Sequence, residues 1–124
     1  MMKFTLYGIP NCDTVKKARV WLTEHHCDVI FYDVKKQGIT PELVQSWLNY
    51  VSWETLINRK GTTWRKLPEA DKIAVIDAAS ANHCMVNWPT IIKRPVIVVT
   101  TTTSTQVIVG FSPEHYQDAI NACM

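Results

Sequence analysis

The hydrophobic period of the chain changes twice within its first 34 residues. Residues 3–7 alternate apolar and polar side chains, which is the pattern of a half-buried strand. After Gly8 and Pro10 the apolar residues recur with the spacing of a helix face up to about residue 25, and residues 29–34 are again rich in β-forming side chains. A strand, a helix and a strand within about thirty residues form a βαβ unit, whose two strands are expected to run parallel.

The middle of the chain predicts a block of helices. Thr40 and Pro41 have the residue types of an N-cap and a first helical position, and an apolar stripe follows them. A short helical piece is expected over residues 53–57, before a polar loop. A further helix, opened by a proline, is predicted over about residues 68–79, with another turn near residues 81–86.

The last third predicts two strands and a closing helix. Val96–Val99 is a continuous apolar run, which is typical of a buried central strand, and Gln106–Val109 is a second strand after a threonine-rich hairpin loop. Ser112 and a proline open the last helix. The order βαβ, helical block, ββα is the thioredoxin-like arrangement, an α/β fold with a mixed sheet. We predict a single domain over residues 1–124 with a helical insertion at about 40–90.

Composition and charge exclude several functional classes. The chain has 124 residues, 47% of them hydrophobic and 19% charged, which is typical of a folded water-soluble domain. A formal net charge of +2 is too small to indicate nucleic-acid or membrane binding by bulk electrostatics, so neither partner is expected. The N-terminal residues lack the apolar region of a secretory signal, and no apolar run approaches a membrane span. We therefore expect a cytoplasmic protein whose four cysteines are reduced thiols.

Cys12 is the sharpest candidate for chemistry. It follows the first strand and a Gly-x-Pro-Asn turn, and Asn11 is predicted to cap the helix, so that Cys12 and Asp13 lie in its first turn. Free backbone N–H groups and the helix dipole favour an anion at this place, and the thiolate is the nucleophilic form of cysteine. Lys16, one turn later, adds positive potential. The alternative is that Cys12 is a small apolar packing residue.

The other three cysteines have mainly structural interpretations. Cys123 lies on the apolar stripe of the last helix, and Cys27 stands between the first helix and the second strand. Cys84, near a predicted helix end, is either a packing residue or a resolving thiol. Val15 occupies the third position after Cys12, so the turn has no C-x-x-C pair, and disulfide chemistry needs an external thiol or a distant cysteine.

The sequence carries no motif for a metal or a nucleotide. His25, His26 and Cys27 do not have the paired spacings of zinc ligands, so no metal site is predicted. Glycine-rich phosphate loops and the Gly-x-Ser-x-Gly motif do not occur. No bound cofactor is therefore expected.

Two arginines are candidates for binding an anionic group. Arg59 lies in a polar loop, and Arg94 directly precedes Pro95 at the start of the buried strand. A guanidinium grips a carboxylate or an oxyanion with two parallel hydrogen bonds, whereas solvent exposure is the usual fate of an arginine. A cis bond before Pro95 would place this backbone beside the Cys12 turn. The basic residues around Trp64 form only a weak nucleic-acid signal.

Three separated motifs resemble the ArsC/Spx family, and most closely its YffB-like subgroup. The first is Tyr7–Ala18 around the cysteine, the second is Arg59–Thr62 and the third is Ile92–Val96. The runs Gly61–Leu67 and Asp77–Ala81 resemble the subgroup. The resemblance spans essentially the whole chain, and it implies a thioredoxin-like domain with an inserted helical subdomain.

The resemblance also implies roles for single residues. In arsenate reductases of this family the cysteine that matches Cys12 attacks the oxyanion, the arginines that match Arg59 and Arg94 hold it, and glutathione with glutaredoxin regenerates the thiol. A third family arginine has no match, because Val-Gly-Phe-Ser occupies residues 109–112. The YffB-like members are thought to act as glutathione-dependent thiol reductases.

We therefore predict a glutathione-dependent thiol reductase, a thiol-disulfide oxidoreductase with Cys12 as its nucleophile. Glutathione is the predicted co-substrate, glutathione or glutathionylated thiols are the predicted partners, and glutaredoxin is a further candidate. Asn11, Arg59, Arg94 and Pro95 are the predicted substrate-binding residues. Two alternatives stay open, a Spx-like regulator module that binds RNA polymerase and a true arsenate reductase.

Overall fold

A four-stranded mixed sheet, with the order β2-β1-β3-β4, is the centre of the first of two compact units. A computed structural model describes residues 2–122; this first unit contains residues 2–38 and 94–122, and the second contains residues 39–93. The strands are β1 (Lys3–Gly8), β2 (Val29–Asp33), β3 (Val96–Thr100) and β4 (Thr105–Val109). β1 and β2 pair in parallel, and β3 pairs antiparallel with both β1 and β4. The predicted βαβ and ββα units are confirmed.

One face of this sheet carries the main hydrophobic core of the unit. Two long helices pack there, α1 (Asp13–Glu24) and α8 (Pro113–Ala122), while the short α2 (Val34–Gln37) follows β2. The α2 helix was not predicted from the sequence; the side chain of Asp33 caps it by accepting hydrogen bonds from the backbone N–H groups of Lys35 and Lys36. The buried core residues are Phe4, Leu6, Val15, Ala18, Leu22, Ile97, Val99, Ile108, Tyr116 and Ala119.

The threonine-rich hairpin between β3 and β4 has a local explanation in the structure. The Oγ1 atom of Thr101 accepts hydrogen bonds from the backbone N–H groups of Thr103, at 3.3 Å, and Ser104, at 3.0 Å. The Thr101 N–H also donates to the Ser104 carbonyl at 2.9 Å. A hydroxyl side chain thus satisfies loop donors that the strand ladder leaves unpaired.

The second unit is helical, as predicted for the middle of the chain. It contains α3 (Pro41–Leu48), α4 (Trp53–Leu56), α5 (Thr62–Lys66), α6 (Glu69–Ile73), α7 (Ala78–Asn87) and a 3₁₀ turn (Pro89–Ile91). Thr40 caps α3 through a hydrogen bond from the backbone of Leu43 at 3.1 Å, so the predicted N-cap is confirmed. The α3 and α7 helices are further tied by the amide of Asn82, which donates to the carbonyl of Pro41 at 3.1 Å.

The helix predicted over residues 68–79 is wrong. The structure has α6 and α7 there, separated by residues 74–77. Asp77 begins the new helix with a capping box, because its side chain accepts the N–H of Ser80 and the Ser80 hydroxyl accepts the N–H of Asp77. The region near residues 81–86, where one turn was expected, is therefore the interior of a full helix.

Among residues 2–122, no helix combines the length and the apolar content that crossing a membrane requires.

Close packing of α1 on the end of β1 requires a glycine at position 8. A Cβ atom built on Gly8 would lie 2.7 Å from Cγ2 and 3.1 Å from Cγ1 of Val15, a fully buried, β-branched side chain. Because such a side chain has few rotamers, the start of α1 would have to move to admit a methyl group.

Gly8→Ala is accordingly expected to lower the free energy of unfolding by about 1–3 kcal/mol, the cost of an overpacked core. Urea denaturation of the variant and of the wild type measures this loss. The double variant Gly8→Ala with Val15→Ala lacks the methyl groups that would clash. Its loss in the free energy of unfolding should therefore be smaller than the sum of the losses of the two single variants. Strictly additive losses would show that the close contact has no energetic consequence.

Candidate functional site

Cys12 is located at the junction between the sheet and α1. It is the N-cap residue of the helix, with φ −93° and ψ 124°, and its own side chain makes no capping hydrogen bond. Its carbonyl accepts the backbone N–H of Lys16 at 2.9 Å, the first bond of the helix ladder. The thiol is half-buried against the core of the first unit. Cys12 therefore stands at the start of α1, where free first-turn N–H groups and the helix dipole favour a negative charge.

The prediction that Asn11 caps the helix is wrong by one residue. The N–H of Cys12 donates to the carbonyl of Ile9 at 3.4 Å, so Asn11 belongs to the tight turn before the helix. Its side chain is exposed at that turn, directly before Cys12. Asp13, placed by the sequence in the first turn, is there as predicted.

Arg94 and Pro95 lie at the same edge of the sheet as the Cys12 turn. The register pairs Tyr7 with Val96, so the backbone of Pro95 comes opposite the last residue of β1. The peptide bond between Arg94 and Pro95 is cis, Pro95 is buried, and Arg94 is half-buried. The structure thus brings together Asn11, Cys12, Arg94 and Pro95, which the sequence spreads over more than eighty residues.

Arg59 lies in the second unit, between α4 and α5. Its side chain is 50% exposed, forms an ion pair with Glu54 at 3.7 Å and lies over the ring of Trp53 at 5.2 Å. A cation that is held by one exposed carboxylate can exchange that partner for another anion, because an exposed ion pair contributes at most about 1 kcal/mol. Its part in substrate binding stays a prediction.

Cys27 and Cys84 differ from Cys12 in their surroundings. Cys27 donates a weak hydrogen bond to the carbonyl of His25 at 3.8 Å, and burial raises the pKa of its thiol. Cys84 is only 6% exposed within α7; burial, and then the negative charge of Asp71, raise the pKa of its thiol. Both thiols are therefore disfavoured as thiolates near neutral pH.

Cys27 cannot form a disulfide with Cys12 in this fold. The two residues flank α1 at opposite ends, and its twelve residues span about 18 Å. A disulfide needs Cα atoms within about 7 Å of each other. Cys123, predicted to pack in the core, lies outside the described residues.

Within residues 2–122, no cluster of three or more His, Cys, Asp or Glu side chains could hold a metal ion.

These environments predict an order of thiol reactivity. Iodoacetamide at pH 7 is expected to modify Cys12 at least about tenfold faster than Cys27 or Cys84, because only the thiolate reacts and burial opposes it at the latter two. A thiol with a raised pKa ionises at higher pH, so the difference between the modification rate of Cys12 and those of Cys27 and Cys84 should become smaller as the pH rises towards 9. Peptide mapping by mass spectrometry at timed intervals measures the three rates. Equal rates in the native protein at pH 7 would contradict the assignment, while equal rates in urea are the expected control.

A groove along α1 was not predicted from the sequence. It has a volume of about 330 Å³, and Val20 at its side is 56% exposed. The apolar stripe of α1 packs in the core, whereas the groove lies beside that stripe and includes Phe111, for which no role was predicted. The apolar pair Val20-Trp21 beside that stripe was the available signal. The groove is lined by Lys16, Lys17, Val20, Trp21, Glu24 and Phe111.

Comparisons with known proteins agree with this architecture. The sequence profile of the ArsC family matches residues 7–119. An uncharacterised protein of Haemophilus influenzae is 36% identical over 115 residues, which cover 93% of this chain and 96% of that protein. The solved structure of the YffB protein PA3664 is 46% identical, with a TM-score of 0.82 over 94% of this chain and 97% of its own. An arsenate reductase (ArsC) related protein from Brucella melitensis is also 46% identical, with a TM-score of 0.68 over 94% and 92% of the two chains. The βαβ-ββα sheet, the cysteine at the start of α1 and these matches together show that the chain belongs to the ArsC family.

Proposed function

We propose that the protein is a glutathione-dependent thiol reductase with Cys12 as its nucleophile. The observation that carries the proposal is the position of Cys12, which is a half-buried thiol at the N-cap of α1, at the sheet edge that also holds Arg94 and Pro95. A thiolate at such a place is stabilised by the helix end and is open to a disulfide. No other cysteine among the described residues shares this environment.

The reaction is two successive thiol–disulfide exchanges. The Cys12 thiolate attacks the glutathione sulfur of a mixed disulfide, forms a bond to it and releases the substrate thiol as a thiolate. A glutathione thiolate then attacks the bond between Cys12 and glutathione, and glutathione disulfide leaves while Cys12 returns to the thiolate. Each substrate disulfide is reduced by two electrons, supplied by glutathione. Because α1 separates Cys12 from Cys27, Cys27 does not resolve the intermediate, and external glutathione takes that role in the proposed cycle.

Arg94 and Arg59 are the proposed carboxylate-binding residues for glutathione, which carries two carboxylates. Arg94 is half-buried at the cysteine's sheet edge, where partial removal from water strengthens an ion pair. Asn11 and the backbone beside Pro95 would position the tripeptide next to the sulfur. These roles rest on the placement of the residues in the first unit and, for Arg59, on its exposed side chain.

A steady-state assay with the mixed disulfide of glutathione and 2-mercaptoethanol tests the function. With glutathione as reductant, and glutathione reductase with NADPH to report the glutathione disulfide that forms, the protein should give turnover well above the uncatalysed exchange. No turnover above that background would refute the proposal.

Arsenate is the second candidate substrate, because a 46% identical relative is named as related to arsenate reductase. The same assay with arsenate in place of the disulfide, and with glutaredoxin added, distinguishes the two.

A further inference from the structure

The groove along α1 begins at the edge of the sheet where Cys12 lies. β1 and β4 are both antiparallel to β3, so their carboxyl ends lie at the same edge. Cys12 follows the end of β1, and Phe111 follows the end of β4. Lys16, which lines the groove, is one helical turn beyond Cys12. A molecule lying in the groove therefore extends away from the nucleophile along the solvent side of the helix.

The apolar part of the groove is held in place by ring contacts. The Trp21 ring stacks on His25 with centroids 3.6 Å apart, and its edge meets Tyr116 at 5.5 Å. Phe111 contacts Tyr116 edge-on at 6.0 Å, and Tyr116 is fully buried. The floor is thus preformed, and an apolar side chain that covers it, together with the exposed Val20, would remove apolar surface from water without ordering the protein first.

The charges of the groove give it a direction. Lys16 and Lys17 lie at the end nearer Cys12, and Glu24 lies at the far end. Within residues 2–122 none of the three side chains forms an ion pair, so their charges are available to a ligand. Glu24 lies eight positions after Lys16, so the two ends are about 12 Å apart along the helix, which is the length of three to four residues of extended peptide. Charge complementarity favours an acidic group near Cys12 and an apolar group in the middle.

We propose that the groove binds the polypeptide part of a glutathionylated protein, in which an acidic residue and a bulky apolar residue adjoin the modified cysteine. This proposal rests on the thiol reductase function proposed above. The groove holds the leaving polypeptide while Cys12 attacks the glutathione sulfur, so the released products are the polypeptide thiol and, after the second exchange, glutathione disulfide. The preferred substrates are then glutathionylated proteins rather than small disulfides.

Two short synthetic peptides of equal length test the proposal. Each carries one glutathionylated cysteine, followed in the first by aspartate and leucine and in the second by lysine and serine. The wild type should reduce the first with a kcat/KM about tenfold higher than the second. Val20→Asp places a negative charge in the groove and should lower kcat/KM for the first peptide about tenfold, while the 2-mercaptoethanol mixed disulfide is reduced as before. Ile30→Asp, at an exposed apolar residue of β2 outside the groove, is the matched control and should change neither.

A binding measurement keeps this test separate from the catalytic proposal. Isothermal titration of the two glutathionylated peptides into Cys12→Ser should show tighter binding of the first peptide, and Val20→Asp in the same background should weaken it. Equal efficiency and equal binding of the two peptides would overturn the groove proposal even if the small disulfide is reduced. If the wild type reduced neither peptide but Cys12→Ser still bound the first peptide more tightly, the catalytic proposal would be overturned and the groove proposal would be supported.

Discussion

Cys12→Ser should abolish reduction of the glutathione mixed disulfide, with kcat lowered by about a thousandfold or more. A serine hydroxyl has nearly the shape of a thiol but does not ionise near neutral pH, so the nucleophile is lost while the turn is retained. Cys12 is half-buried and makes no capping hydrogen bond, so the substitution removes no structural contact of that kind. The residual rate measured in the glutathione reductase-coupled assay should equal the uncatalysed exchange.

Cys27→Ser is the matched control for this experiment. Cys27 lies at the opposite end of α1, about 18 Å of helix away, and makes only a weak hydrogen bond. Its variant should retain most of the wild-type kcat. Cys84→Ala tests whether Cys84 is a resolving thiol. A resolving thiol takes part in every catalytic cycle, so its removal would lower the steady-state turnover. Normal turnover of Cys12→Ser, or loss of turnover in Cys27→Ser alone, would place the chemistry on another thiol.

Arg94→Ala should lower kcat/KM for the glutathione mixed disulfide by about ten- to a hundredfold. A charge-assisted pair between a guanidinium and a carboxylate contributes about 1.5–3 kcal/mol, and each 1.4 kcal/mol is a tenfold change. Arg94→Lys should recover only part of the loss, because an ammonium cannot make two parallel bonds to one carboxylate. Initial rates at varied disulfide concentration measure the effect, and thermal unfolding checks that the half-buried site remains folded.

Arg19→Ala is the control for the removal of one cation from the first unit. Arg19 lies over the ring of Phe31 at 4.3 Å and is outside the Cys12 turn. Its loss should leave kcat/KM nearly unchanged. If Arg94→Ala and Arg19→Ala reduced kcat/KM equally, the effect would be one of general charge, and the specific role of Arg94 would be contradicted.

The parts of the fold that the sequence predicted are those with a clear local period. β1, α1 and β3 are defined by their own apolar patterns, and the cysteine at the start of α1 follows from them. The break between α6 and α7 was missed because no glycine or proline interrupts residues 69–87, although Asp77 is a residue type favoured at an N-cap. The N-cap is Cys12 and not Asn11, because the backbone N–H of Cys12 donates to the carbonyl of Ile9 and closes a turn that contains Asn11. No sequence pattern indicates this hydrogen bond.

The site was predicted in its residues but not in its surroundings. Arg94 and Pro95 reach the Cys12 turn only because β3 pairs with β1, and the resemblance, rather than the pattern, pointed to them. The groove could not be predicted because it depends on tertiary packing. Phe111 and Trp21 are far apart in the sequence and line the same groove because both contact Tyr116. Glutathione, glutaredoxin, RNA polymerase and a cytoplasmic location stay predictions.

Mass spectrometry after treatment with glutathione disulfide tests the central claim most directly, because it locates the covalent intermediate. The reduced protein is incubated with glutathione disulfide near neutral pH, quenched with acid and digested, and each cysteine-containing peptide is quantified. We expect the glutathione adduct on Cys12, formed more slowly in Arg59→Ala and Arg94→Ala, with Cys27 and Cys84 unmodified. An adduct on any other cysteine while Cys12 stays free would contradict the account.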